Sequence, residues 1–382
     1  MHIDSAMKTL SQVDMEDYIR GAVILGCGGG GGATSGQELV KYALENGYKF
    51  NLVDINELRD DDMLCIISGV GGGVPQEIRD KVAPYFTRFE RTRETRIKTM
   101  QKATEELAKY IGKEFAAYVP SETGGGNGVM PMFLNALEGK PSIDGDGCGR
   151  AKPEIGISLT HVVGIPMAPI SIVTPFQEVV IVKSAIDDYR GEDITRHIAV
   201  ASGGGVTAVR SSGTVKQFKN AIAHNHVTRC LKIGAAIREA NEKDSCPFEA
   251  FEKASGSHKL FEGDVADYEA EGKGGFNWGN WHIKGTGKYK DSKLKVWYKN
   301  ENLMSWLDDK PYVRTPDLIC IVDGGTCEGL SNFGAAEYKG KKVVVYGIAA
   351  IDMWRTPKGI EIFGPRHFGF DIDFIPMEKV IK

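Results

Sequence analysis

Six glycines crowd the seven positions from Gly26 to Gly32, interrupted only by Cys27. No packed core needs so many residues without side chains. Glycine lets a backbone take positive φ and come close to a ligand, and the free N–H groups at a helix start form an anion-binding nest. The apolar run Ala22–Leu25 before the turn and the amphipathic stretch 35–46 after it predict a strand, a turn and a helix. Gly26, Gly28 and Gly31, with Asp54 closing the next strand-like run Phe50–Val53, match the spacing of a dinucleotide-binding turn. A ligand is therefore expected here, with Gly28, Gly29 and Gly30 among its contacts.

The chain has 382 residues, more than one ordinary core holds, so two domains are expected. Residues 1–165 alternate strand-like runs, glycine turns and helical stretches, which predicts an α/β layered domain. From 166 to 382 the texture shifts to short strands and turns, predicting a β-rich (α+β) domain. Trp278, Trp281, Trp297 and Tyr298 fall in its alternating segments. One helix is expected over 78–111, its charged middle projecting from the body, and another over 215–240.

A net charge of −4 leaves no broad basic field for nucleic acid. The cluster Arg88–Lys102 is interleaved with glutamates and reads as a solvated helix face. No apolar run is long enough to span a membrane, and Met1–Asp4 does not open a secretory leader. Seven cysteines without a CxxC point to reduced thiols in a cytoplasm. The expected partner is a small heterocyclic molecule, the expected assembly a homo-oligomer, and no cofactor or metal is called for.

Further polar glycine loops follow the runs Met63–Ser68 and Phe115–Val119. In α/β sheets ligands gather at the carboxyl ends of strands, so four such loops should converge on one cleft. Glu122, Gly125, Gly126 and Asn127 belong to one of them. Asp144, Asp146, Cys148 and Arg150 stand at alternate positions in another. Two carboxylates, a thiol and a guanidinium are an acid, a base, a nucleophile and a carboxylate clamp. The alternative is a turn whose aspartates cap neighbouring N–H groups; Glu122 and Asn127 face the same choice. Cys27 and Cys148 both sit in glycine loops where N–H groups can activate a thiol, and Cys148 has the acid–base neighbours. Cys65 and Cys320 read as core. His161 is either a satisfied strand residue or a site residue. His224 and His226 read as surface histidines, since positions two apart on a helix do not face together.

Taken together, the LGCGGGGG turn, the ETGGGN loop, the segment Asp144–Glu154, the GGFNWG turn at 274–279, the KNENL run at 299–303, VRTPDLICIVD and the late FGPRHFGFD resemble the S-methyl thiohydantoin desulfurases over nearly the whole chain. The resemblance implies an α/β N-terminal part and a β-rich C-terminal part. It also implies hydrolysis of an S-methylated thiohydantoin propionate to methanethiol and a hydantoin. The residues accommodate that chemistry through a thiolate that displaces methanethiol. Where neither cysteine is the nucleophile, direct attack by water activated by Asp144, Asp146 or Glu122 is the fallback. Two other classes remain open: a nucleotide- or dinucleotide-binding protein, and a non-catalytic partner of a hydantoinase.

Overall fold

The computed structural model describes residues 7–381, so Met1–Asp4 lie outside the described residues. Helix α1 (Gln12–Leu25) begins on a capping box. The Ser11 hydroxyl accepts from the Asp14 N–H, and the Asp14 carboxylate accepts from the Ser11 N–H at 2.8 Å. Such a box is worth about 1 kcal/mol.

The glycine turn follows α1 directly, so Ala22–Leu25 is the last turn of a helix rather than a strand. Met15, Tyr18, Ile19, Ala22 and Leu25 recur at helical spacing and are all buried. That longer period overrides the local apolar run. Helix α2 (Ala33–Glu45) resumes the chain after the turn. The strand–turn–helix context of a dinucleotide-binding fingerprint is therefore missing. Asp54 instead caps a short 3-10 turn by accepting from the Asn56 N–H.

A five-stranded sheet forms the centre of the α/β half. Its order is Phe115–Pro120, Met63–Gly71, Gly205–Thr214, Ile170–Val173, Val179–Val182. Only the first pair is parallel. Three of its strands come from beyond the change of texture at residue 165. The stretch 78–111 is two helices, α3 (Gln76–Phe86) and α4 (Arg93–Ile111), with Thr92 capping the second. The charged middle does not project as a free arm: Arg91, Thr95, Arg96 and Thr99 line a cleft. The helix expected over 215–240 is likewise broken, into Val215–Phe218 and His226–Glu242. Asn225 turns the chain between them at φ +56°.

The β-rich half is a seven-stranded antiparallel sheet. Its order is Lys310–Arg314, Glu301–Leu307, Lys293–Lys299, Phe276–Gly285, His258–Lys273, Lys342–Ile348, Leu318–Asp323. The hairpin of His258–Lys273 and Phe276–Gly285 reaches back to the other half, where the Gly275 N–H donates to the Gly73 carbonyl at 3.1 Å. Arg196 clamps that junction by donating to the carbonyls of Gly71 and Gly275. No helix among the described residues is long and apolar enough to cross a membrane.

Candidate active site

A cleft of about 740 Å3 opens where the two halves meet. Three glycine loops of the α/β half line it, through Gly30–Gly32, Ser68–Gly72 and the stretch from Ser121 to Asn127. Asn300 and Glu301 of the β-rich half face them. Lys152 and Pro153 line the cleft immediately after the Asp144–Arg150 stretch.

Three charged groups define its inner end. Glu122 accepts from the Asn127 side-chain amide at 2.6 Å and from the Lys152 backbone N–H at 3.0 Å. Burial raises its pKa above the ordinary carboxylate value, and the Lys152 charge and these hydrogen bonds oppose that rise. Lys152 is 4% exposed, and burial, with Arg210 adding, pushes its ammonium down to about 8. Its Nζ has no hydrogen-bond partner among the described residues. Glu301 is 2% exposed; one carboxyl oxygen accepts from the Gly30 N–H at 3.3 Å and the other has no partner. Burial holds Glu301 well above its ordinary value, and the charge of Glu122 pushes it the same way.

The glycine run has a physical reason at this point. A Cβ on Gly29 would lie 1.8 Å from the Glu301 carboxyl oxygen. Only a residue without a side chain lets that acid approach the turn. Beneath the floor, Arg210 is fully buried and donates to the hydroxyls of Ser68 at 3.0 Å and Ser121 at 2.6 Å. Both hydroxyls already accept there, so each has its proton free to donate into the cleft.

Of the residues singled out in the sequence, Gly30, Glu122, Gly126 and Asn127 line the cleft. Gly28, Gly29 and Gly125 belong to the same loops but pack against protein; the Gly28 carbonyl accepts from the Asn332 N–H at 2.8 Å. The Asp144–Arg150 stretch lies behind the wall. Asp144 accepts from the N–H and hydroxyl of Thr228, and Asp146 from the N–H groups of Cys148 and Gly149 and the hydroxyl of Thr123. Cys148 is 0% exposed, and burial pushes its thiol far above the ordinary value. Arg150 donates to the carbonyls of Ala151, Asn302, Pro316 and Asp317, leaving no fork for a ligand.

Cys27 is buried in the core with its sulfur 3.9 Å from that of Cys320. Burial raises its pKa, but the Cys320 thiol and the Arg150 charge outweigh that and hold it below the ordinary value. His161 packs edge-on against Tyr189, its Nδ1 3.0 Å from the Gly156 carbonyl, away from the lining residues. His226 is buried, Nε2 3.8 Å from Asp146, rather than at the surface; His224 is exposed. Among the described residues no three His, Cys, Asp or Glu side chains group as a metal would require.

Lys152 and Glu301 escaped the reading of the sequence. Each lies inside a motif recognised there, but a lone lysine or glutamate in a loop is usually solvated. Only the fold makes them buried neighbours.

Comparison with known proteins adds the family. No curated protein matches the chain. An X-ray crystal structure of a protein from Chromobacterium violaceum is similar in fold, with a TM-score of 0.77 at 20% identity over 97% of this chain and 99% of that one. The model of the S-Me-THD-like N-terminal domain matches residues 13–184, and that of the S-Me-THD-like C-terminal domain residues 186–377. The chain therefore belongs to the S-methyl thiohydantoin desulfurase-like family.

Proposed function

We propose that the protein is a hydrolase that removes the S-methyl group of a methylated thiohydantoin propionate as methanethiol, leaving the hydantoin. The observation that carries this reading is the meeting of Glu122, Lys152 and Glu301 at the buried end of the cleft. Burial raises both carboxyl groups, Glu301 well above its ordinary value and Glu122 against the opposing Lys152 charge and two hydrogen bonds. Two carboxyl groups so unequally placed take opposite roles. Glu301, held protonated, is the acid, and Glu122, stabilised by Lys152 and two hydrogen bonds, is the base.

The ring carbon bearing the S-methyl group is amidine-like and electrophilic. Glu122 takes a proton from water as its oxygen bonds to that carbon. Negative charge passes to the ring nitrogen, where the Lys152 ammonium and the Ser68 and Ser121 hydroxyls stabilise it. The carbon–sulfur bond then breaks, and Glu301 gives its proton to the departing thiolate. The hydroxyl left on the ring carbon gives its proton to the ring nitrogen, which makes the carbonyl, and the proton on Glu122 returns to Glu301 by way of solvent. The net change is one water consumed, one carbonyl formed and one methanethiol released. We assign attack to water rather than to Cys148 because that thiol lies wholly behind the cleft wall. Asp144 and Asp146 keep the loop folded through their capping bonds.

The test is to incubate the full chain with the S-methyl thiohydantoin propionate. Volatile thiol is measured by thiol titration and the ring product by mass. Stoichiometric methanethiol and hydantoin are expected; neither appearing at saturating substrate overturns the reading.

A further inference from the structure

We propose that Arg91 and Arg96 form a carboxylate-binding subsite at the mouth of the cleft, so that the protein takes anionic heterocycles with the ring innermost and the acid arm outward. This rests on reading the inner end as a ring site and extends it to the side arm.

The charge inventory of the lining is unequal. Arg91, Arg96, Lys152 and Arg196 face only two carboxyl groups, Glu122 and Glu301. Arg196 is fully engaged, donating to Glu192 and to the carbonyls of Gly71, Gly275 and Pro153. Lys152 answers Glu122. Arg91 and Arg96 are left over, and neither makes an ion pair among the described residues. The Arg91 guanidinium lies 4.0 Å over the Phe86 ring, which fixes its plane and leaves its donor edge open.

Depth orders the site. Lys152 and Glu301 are buried while Arg91 and Arg96 are exposed, so the arginines mark the outer end. Arg150 cannot take this role, because its nitrogens already serve four carbonyls. The planar guanidinium fork suits a carboxylate, which it binds bidentately. A cationic mouth on a chain of net charge −4 also draws anions to this opening rather than elsewhere.

Calorimetric titration of the full chain with hydantoin-5-propionate and with its uncharged propionamide tests the subsite. The wild type is expected to prefer the acid by roughly 10- to 100-fold, the range of a charge-assisted pair. In the double variant Arg91→Gln/Arg96→Gln that preference disappears while amide binding is unchanged. Both side chains are exposed, so folding is not at issue. Equal binding of acid and amide to the wild type, or a preference that survives in the variant, overturns the proposal. If neither hydantoin binds, 3-phenylpropionate and 3-(imidazol-4-yl)propionate are titrated beside their amides. A carboxylate preference abolished with the arginines then keeps the subsite and removes the thiohydantoin reading. No preference for any carboxylate overturns the subsite itself.

Discussion

At the scale of single residues, the cleft depends on charged groups that are almost wholly buried at its inner end. Lys152 titrates at about 8, and its protonated form stabilises the transition state, so kcat should fall as pH rises through that value. In Lys152→Met the alkaline limb should vanish and kcat drop by roughly 100- to 1000-fold, the usual loss for one charge-stabilising group; a pH–rate profile checks both. Thiol reactivity is a second readout. Cys246 is exposed and the other six cysteines are buried, so brief alkylation of the native protein should label Cys246 alone. Peptide mass mapping decides it, and rapid labelling of Cys148 would show that thiol to be open to solvent. The place of Glu122 at the cleft was legible in the sequence because it stands in a polar glycine loop. The reactive character of Cys148 was inferred from neighbours in the chain. Those neighbours turned out to bind backbone N–H groups, threonine hydroxyls and carbonyls, which a linear sequence does not display.

At the scale of elements, helix α1 and the helix His226–Glu242 lie unusually close. A Cβ on Gly21 would sit 2.1 Å from the Cys230 carbonyl oxygen, and one on Gly234 1.8 Å from that of Asp17. Gly21→Ala should therefore destabilise by about 1–3 kcal/mol through overpacking, with a lowered midpoint in urea unfolding as the measure. The alternation of strands and glycine turns was legible from residue 50 onward, and so was the buried strand Lys342–Ile348. Among the features that were not, two have a plain physical reason. Ala22–Leu25 is too short to declare its own period and takes it from the preceding helix. The break at 87–92 follows from Thr92 accepting the Thr95 N–H, a capping bond inside a stretch that is helical by composition.

At the scale of the whole molecule, the halves are joined beside the cleft by a buried charge network. Glu154 of the α/β half pairs with Lys299 and with His367, whose Nε2 is 2.8 Å away, both from the β-rich half. Burial raises the Glu154 pKa, but His367 and Lys299 outweigh it and hold it at about 2 against an ordinary 4.5. A lowered carboxylate pKa gives stability that is present above pH 4.5 and is lost as pH falls towards 2. The loss should be roughly 3 kcal/mol. Glu154→Gln should flatten that acid limb in denaturant titrations across pH, and an unchanged limb would remove the network from the junction. The same junction brings Asn300 and Glu301 over the glycine loops, so the acid and the base of the proposed reaction come from different halves. Methanethiol release at saturating substrate, compared between Glu122→Gln and Cys148→Ser, tests that account most directly. Direct attack by water predicts a fall of roughly 100- to 10,000-fold for Glu122→Gln and near-normal turnover for Cys148→Ser. Abolished turnover in Cys148→Ser, with a ring-sized adduct on Cys148 in quenched wild-type enzyme, would contradict it.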